Sequence, residues 1–291
     1  MSPASRLRRA LSVIAGITGL GTFVQCSLLV DTADLSGGVD PAEGGASAAD
    51  GPASDGPGFS SLDAGVESGV GCPVGRGPTM VRIDVGGSPF CIDSTETTQG
   101  QYKAFLDSVP NPASQPPDCA GNTTFGTPDS FTTDDRPIVK VDWCDALAFC
   151  TWAGKRLCGQ RGDGGALSID QGLDPTRSEW MAACTRGGTR SFPYGQGYDS
   201  GACNDNSGGL GAAAPPGSFK GCQGGFDALF DMNGNVTEWE NACDGVAASD
   251  GRTCLNRGSS WVAQGRCTYA SADIFTGASS DWGIRCCATP R

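Results

Sequence analysis

Fifteen cysteines and the complete absence of histidine constrain this 291-residue chain more than any other feature. Without imidazole it cannot form a Ser-His-Asp triad, a Cys-His pair or a histidine metal site. Any chemistry must rest on carboxylates, thiols, hydroxyls or a bound cofactor. Zinc is the usual alternative reason for many cysteines, but zinc sites use tight CxxC pairs. Here Cys286 and Cys287 are the only close pair, so we expect disulfides.

The N-terminus indicates export, which suits disulfides because they persist in oxidising compartments. Three arginines at positions 6, 8 and 9 precede an apolar run over residues 10–24. This pattern is typical of a signal peptide, and the run is too short to span a bilayer. Cys26 follows it, as in bacterial lipoproteins. We expect residues 1–26 to be a signal peptide that ends at a lipid-modified Cys26 in the bacterial envelope. Plain secretion is the alternative.

Residues 27–71 have the composition of a tether. They are rich in Gly, Ala, Ser, Asp and Pro and contain eight acidic residues but no Lys or Arg. Such a segment cannot bury enough apolar surface to offset its ordering entropy, so we expect a disordered linker. The linker carries most of the net charge of −12. The chain has no basic cluster for nucleic acid, and a lipid anchor is the only membrane contact expected.

From Cys72 onward, short apolar runs, aromatic residues and cysteines predict a globular domain over residues 72–291. Its regular elements are predicted to be strands Met80–Asp84 and Phe90–Asp93 around a Gly86-Gly87 turn, and helices Thr98–Leu106, Asp142–Ala153 and Ser178–Cys184. Asp142 is a candidate N-cap and Gly154 a candidate stop signal. Three helices among many short strands and Gly-rich turns indicate an α+β domain with low regular secondary structure. We expect it to be a monomer.

Several segments of this domain follow one another in a recognisable order. They are Phe90–Thr98 with Gln101, Tyr102 and Phe105; Pro137–Trp143 with Phe149–Leu157; Thr176–Trp180 with Ala183 and Cys184; Pro193–Gly195; Asp231–Trp239; Arg257–Trp261; and Gly283–Arg285. This set resembles the formylglycine-generating, or sulfatase-modifying-factor, family over most of the domain. The resemblance implies that family's fold, which is related to the C-type lectin fold. Residues 158–174 would be an insertion.

The resemblance also implies two disulfides, Cys150–Cys286 and Cys184–Cys267. For the other cysteines, closeness along the chain suggests the pairs Cys72–Cys91, Cys203–Cys222 and Cys243–Cys254. The remaining four are left to pair among themselves in an order that the sequence does not fix: Cys119, Cys144, Cys158 and Cys287.

The oxidase of this family holds copper(I) with two thiols and oxidises a substrate cysteine, and soft thiolates suit copper(I). The corresponding stretch here is Trp261–Cys267. If Cys267 is in a disulfide, both copper thiols are missing, and Ala263 stands near the first position. In an alternative alignment Cys267 is the second thiol, but it has no partner. Ser260 matches the family's active-site serine, although a serine after a glycine turn is more often structural. We do not expect copper.

The loop that begins at Asp231 corresponds to a structural calcium site of the family. Asp231 and Glu238 could supply carboxylates, and Gly234 and Val236 could supply backbone carbonyls. Such hard oxygen ligands from one tight turn suit calcium, so we expect a structural calcium ion here. The alternative is that Asp231 and Asn235 simply cap the turn.

These features favour a binding scaffold without copper oxidase activity, which binds an unidentified protein or small ligand. We assign no catalytic residue. Two enzymatic alternatives remain. One is a formylglycine-generating-type oxidase with a rearranged thiol site. The other is a carboxylate-based enzyme that reuses the family's cleft, for which Glu238, Glu240 and Asp244 are acidic neighbours, although structural roles explain them more simply.

Overall fold

Two four-stranded β-sheets organise the part of the chain that the structure, a computed structural model, describes: residues 71–126, 131, 133–208, 210–244 and 251–291. These residues belong to a unit that spans Asp63–Arg291. The expected signal peptide, Cys26 and residues 27–70 of the expected linker lie outside the described residues.

The regular elements are short, which confirms the predicted α+β class with low regular secondary structure. The strands are β1 (Met80–Ile83), β2 (Phe90–Asp93), β3 (Arg156–Leu157), β4 (Thr237–Asp244), β5 (Thr253–Arg257), β6 (Ala270–Ile274), β7 (Trp282–Gly283) and β8 (Cys286–Ala288). The α-helices are α1 (Gln99–Asp107), α2 (Trp143–Trp152), α3 (Ile169–Gly172) and α4 (Glu179–Thr185). Short 3-10 turns lie at Pro112–Ser114, Pro117–Cys119 and Lys220–Cys222.

The two sheets meet near the C-terminus. The first has the order β1-β2-β8-β3 and is antiparallel. The second has the order β6-β5-β4-β7, in which β4 and β7 are parallel and the other pairs are antiparallel. Consecutive strands β7 and β8 therefore belong to different sheets. Ile284 and Arg285, which connect them, lie fully buried at the crossing.

Local capping explains where the helices begin. Thr98 and Asp142 each form a capping box with the residue three positions later, and these boxes start α1 and α2. Gly154 takes a φ of +73° directly after the last turn of α2, as a stop signal requires. The sequence did not predict α3, a four-residue helix inside the insertion that begins with a capping box at Ser168.

Two apolar clusters fill the interior. The first joins α1 and α2 to the second sheet and includes Tyr102, Phe105, Trp143, Phe149, Trp239, Phe275 and Ile284. The second lies between α4 and the first sheet and includes Ile83, Phe90, Ile92, Trp180, Met181, Leu229 and Met232. Each cluster thus combines helix residues with strand residues that are distant in the sequence.

Seven disulfides tie these layers together. They join Cys72–Cys91, Cys119–Cys144, Cys150–Cys286, Cys158–Cys287, Cys184–Cys267, Cys203–Cys222 and Cys243–Cys254. Five are the pairs expected from the sequence, and the other two use the four cysteines that were left open. Adjacent residues of a strand point to opposite faces. Cys286 can therefore reach α2 while Cys287 reaches the segment after β3.

No helix in the described ranges has the length and apolar character that crossing a membrane requires.

Candidate functional site

Arg285 is the centre of a buried polar network at the crossing of the two sheets. Its Nε donates to Glu238 Oε1 at 2.8 Å, and its two terminal nitrogens donate to the backbone oxygens of Asp93 at 2.7 Å and Phe230 at 2.8 Å. Glu238 Oε2 accepts from the Trp180 indole at 2.6 Å. Arg285 is fully buried and Glu238 nearly so. A buried ion pair persists only when further hydrogen bonds complete it, and here they do.

Asn235 extends this network through the loop between Asp231 and β4. Its side-chain nitrogen donates to Glu96 Oε1 at 3.0 Å, and its side-chain oxygen accepts from Asn204 at 3.0 Å and from the Ala214 amide at 2.7 Å. Its φ is +59°, a left-handed conformation that asparagine tolerates better than most residues. The loop is thus held to three distant parts of the chain by one amide.

Carboxylates outnumber cations in this network. Burial, together with the negative charge of Asp231, raises the pKa of Glu96 well above its usual range. Burial also raises the pKa of Asp231 to about 6, and it raises that of Glu238 despite the Arg285 charge. Glu96 Oε2 is buried without a hydrogen-bond partner. A protonated Glu96 fits this position, since a neutral carboxyl carries a much smaller burial penalty.

The calcium expectation can be tested on these contacts. The structure brings Asp231 and Glu238 into one network, but both Glu238 oxygens accept from protein donors, and one Asp231 oxygen accepts from the Gly217 amide. Among the described residues, no cluster of three or more Cys, Asp or Glu side chains could hold a metal. Arg285 supplies the positive charge that an ion would supply. Of the four expected ligands, Glu238 is therefore fully committed to protein donors in this arrangement, and the calcium ion stays a prediction from the sequence.

The acidic neighbours on β4 do not form an acid-base site. Glu240 is fully buried, lies 3.4 Å from Arg257 and accepts a hydrogen bond from Ser178. Burial raises the pKa of Glu240 to about 7. Glu238 is buried in the Arg285 network, whereas Asp244 is exposed at the end of the strand. The two buried carboxylates have structural partners and no exposed surface for a substrate.

The stretch that would carry the copper thiols contains no free thiol. Cys267 is joined to Cys184, and all fourteen cysteines of the described residues are in disulfides. Ser260 donates to Asp281 Oδ2 at 2.7 Å, and Ser279 donates to the other oxygen at 2.6 Å. The Ser260 hydroxyl, at the family's serine position, is therefore hydrogen-bonded to the Asp281 carboxylate, which the Ser279 hydroxyl also orients.

A polar cluster that the sequence did not predict lies on the neighbouring strands. Asn256 on β5 is paired across the sheet with Ser271 on β6, so the two side chains share a face. Asn256 is fully buried, and neither its oxygen nor its nitrogen has a hydrogen-bond partner. Asp273, two residues after Ser271, also has an unpartnered buried oxygen. Burial raises the pKa of Asp273, and Asp281 raises it further, so the two carboxylates lie within electrostatic reach.

Only part of this cluster is accessible: Asn256 is fully buried, whereas Ser271, Asp273 and Asp281 are partly exposed. Trp282, which follows Asp281 in the chain, is partly buried and packs edge-on against the buried Trp239, with ring centroids 5.3 Å apart. Buried amide groups without partners are uncommon in native proteins, because each one forfeits hydrogen bonds to water. A ligand or ordered water could meet that need. Sequence reasoning had no signal for it, since isolated Asn and Asp in short strands look like surface residues.

Comparison with known proteins supports the resemblance seen in the motifs. A family model described as "Sulfatase-modifying factor enzyme 1-like domain" matches residues 61–290. The formylglycine-generating enzyme of Bos taurus is 28% identical over 186 residues, which are 53% of this chain and 44% of the relative. The Bos taurus protein named inactive C-alpha-formylglycine-generating enzyme 2 is 31% identical over 170 residues, with 52% and 49% covered.

Another relative is named for a different activity. The hercynine oxygenase of Mycolicibacterium smegmatis is 30% identical over 112 residues, which are 37% of this chain and 22% of that protein. The chain thus spans half or less of the length of these curated relatives. Among solved structures, PvdO from Pseudomonas aeruginosa has a TM-score of 0.48 at 22% identity, with 69% of this chain and 80% of that one covered.

Proposed function

This chain belongs to the family of sulfatase-modifying factor enzyme 1-like domains, and we propose that it is a binding scaffold without thiol-copper oxidase activity. One observation carries the proposal: every cysteine of the described residues is in a disulfide, including Cys267 in the stretch where the oxidase thiols are expected. A disulfide sulfur is not a thiolate, and a copper(I) centre needs thiolate ligands.

Related proteins make this combination reasonable. One relative is named an inactive enzyme, and two others are named a formylglycine-generating enzyme and an oxygenase. One fold commonly hosts several functions, so the activity must be argued from the site. In this chain the buried hydrogen bonds of Arg285 and Asn235 are present, whereas the described residues contain no pair of free thiols.

The surface that we propose for the ligand is the partly exposed part of the polar cluster, which consists of Ser271, Asp273 and Asp281. The support is chemical: one carboxylate oxygen of Asp273 has no hydrogen-bond partner, and the residue is only partly buried. Such a surface offers hydrogen bonds that the folded chain does not itself satisfy. No contact favours the carboxylate-based enzyme, because Glu238 and Glu240 are buried with structural partners.

We also propose that the domain is exported and tethered through Cys26. The disulfide-rich fold suits an oxidising compartment. In a bacterial host, a Cys26→Ala variant is expected to leave the membrane fraction and appear in the soluble fraction. The mature Cys26 peptide of the unaltered protein is expected to carry the mass of acyl chains. An unmodified Cys26 peptide would leave plain secretion as the explanation.

The absence of oxidase chemistry is tested by copper(I) competition. The unreduced mature protein is titrated into copper(I) held by a coloured chelator, and we expect it to remove no copper. Cys184→Ser, which frees Cys267, is the matched variant, and its single thiol is expected to compete only weakly. Stoichiometric removal of copper by the unaltered protein, with oxygen-dependent oxidation of a cysteine peptide, would refute the proposal.

A further inference from the structure

A cavity between α1, α2 and the loop over residues 110–125 is a second candidate site, outside the polar cluster and outside the segments that resemble the family's reaction centre. We propose that it binds an uncharged small molecule that contains an aromatic ring. The cavity has a volume of about 450 Å³, which lies within the range of pockets that hold drug-sized ligands. This inference goes beyond the proposed function and does not depend on it.

The outer wall of the cavity is fixed in place. The disulfide between Cys119 and Cys144 joins the loop to the first turn of α2. The Asn122 side chain donates to one oxygen of Asp145 at 2.9 Å, and the Gly126 amide donates to the other at 3.2 Å. Prolines at positions 110, 112, 116 and 117 restrict the backbone further. Because the wall is preformed, a ligand would not need to order it, and preorganisation of this kind favours binding.

The inner wall consists of three aromatic rings in edge-to-face contact. Phe105 lies 5.2 Å from Phe125 and 5.6 Å from Trp152, measured between ring centroids. The guanidinium of Arg76 lies 4.6 Å from the centroid of Trp152 and donates to the Trp152 carbonyl at 3.0 Å. Arg76 is not among the residues that line the cavity, so it fixes this ring from outside. A further ring can enter the same edge-to-face arrangement, which aromatic pairs prefer.

The hydroxyl groups that line the cavity and the amide of Gln115 donate to backbone carbonyls of the protein. The Ser108 hydroxyl donates to the Phe105 carbonyl at 2.6 Å, and the Thr151 hydroxyl donates to the Leu147 carbonyl at 2.8 Å. The Gln115 amide nitrogen donates to the Asn122 carbonyl at 2.7 Å. A ligand therefore meets mainly carbon surface, even though several lining residues are polar.

The described residues that line the cavity include no charged side chain. A charged group moved from water into such surroundings loses hydration and gains no counter-ion. The cavity should therefore select against ions, and this is why the proposal specifies an uncharged ligand. The aromatic wall selects in turn for rings over plain alkyl chains.

The test compares three fluorescent or competing probes on the full chain. N-phenyl-1-naphthylamine is neutral and aromatic, 1-anilinonaphthalene-8-sulfonate adds a sulfonate to nearly the same rings, and 1-decanol is neutral and aliphatic. We expect saturable binding of the neutral aromatic probe at one site per chain. The sulfonate should bind at least tenfold more weakly, and decanol should displace the probe only at much higher concentration.

Three variants locate the site. Ala148→Phe fills the cavity from α2 and should weaken probe binding at least tenfold. Ala104→Phe, the same change on the exposed face of α1, should leave binding unchanged. Leu173→Ala, at an exposed residue outside the cavity, should also leave it unchanged, and the melting temperature of each variant checks against a general loss of folding. The proposal is overturned if the neutral probe does not saturate, if the sulfonate binds equally well, or if Ala148→Phe binds like the unaltered protein.

Discussion

Two segments that carry the family's sequence pattern have very different roles in the folded chain. In Asp231–Trp239, side chains hold distant parts together: Asn235 joins three other segments, and Glu238 joins Arg285 and Trp180. In Arg257–Cys267, the first residue is buried and the last is in a disulfide, but Val262 is 48% exposed. We call the first segment the structural joint, because its buried side chains hold distant parts of the chain together. The second segment is partly exposed.

The difference shows which part of a family pattern a fold needs. A buried, hydrogen-bonded loop cannot change without leaving polar groups unpaired, and each such group costs about 1–3 kcal/mol. A partly exposed segment can change its residues without leaving buried polar groups unpaired, so the joint does not depend on the chemistry of that segment. The scaffold therefore persists in this chain although the residues for copper are absent from its described part.

The largest expected effect is at the centre of the joint. Arg285→Leu would leave the Glu238 carboxylate and two backbone carbonyls buried without their donor. We expect a loss of about 3–5 kcal/mol in the free energy of unfolding, measured by urea denaturation. Arg266→Leu is the matched change in the other segment. It is exposed and should cost within ~0.5 kcal/mol. Equal losses of unfolding free energy in the two variants would contradict the proposed difference between the two segments.

The disulfide that anchors the second segment should come next. Replacing Cys184 and Cys267 together by serine opens a closed loop with a sequence separation of 83 residues. We expect a loss of about 2–4 kcal/mol, because the unfolded chain regains entropy. The matched double variant at Cys203 and Cys222, with a separation of 19 residues, should lose less. A smaller loss for the Cys184–Cys267 variant would count against this explanation.

The pH dependence of stability sharpens the description of the joint. Burial raises the pKa of Asp93 and of Asp231 to about 6 and that of Glu240 to about 7. Between the ordinary carboxyl pKa and these values, the folded state binds more protons than the unfolded state. Stability should therefore fall as pH rises from about 4 to about 7. We expect the melting temperature to be roughly 5 °C higher at pH 5 than at pH 8, by calorimetry in matched ionic strength. A lower value at pH 5 would contradict it.

Removal of calcium should have the smallest effect. Since Arg285 and Trp180 already donate to both oxygens of Glu238, this carboxylate does not need an ion to satisfy it. A chelator such as EGTA should shift the melting temperature by less than ~2 °C. A fall of many degrees that calcium chloride reverses would restore the calcium site expected from the sequence.

Local features of the fold were predictable from the sequence, whereas contacts between distant residues were not. The helical spacing of Tyr102, Phe105 and Leu106 predicted α1, and Asp142 predicted the start of α2 because capping depends on residues close in sequence. The same signal at Ser168 was present but was missed, since α3 is only one turn long. The Arg285–Glu238 pair joins residues 47 apart in sequence, and no local pattern specifies such a partner.

The candidate binding surface was the least predictable part. Asn256 and Asp273 become neighbours only through the register of β5 and β6. Asn256 lacks hydrogen-bond partners only because the folded sheet buries it fully, which a sequence does not show. Motifs could locate the segment around Ser260, but the orientation of its hydroxyl toward Asp281 needed the fold.

The central claim is that the domain has no thiol available for oxidase chemistry, and thiol mapping tests it most directly. The unreduced mature protein is denatured, alkylated with iodoacetamide and digested, and the cysteine peptides are weighed by mass spectrometry. We predict that none of the fourteen cysteines from Cys72 to Cys287 carries the label and that Cys184 and Cys267 are recovered in one disulfide-linked peptide. Quantitative labelling of Cys267 together with a second cysteine would contradict the claim and reinstate a thiol centre.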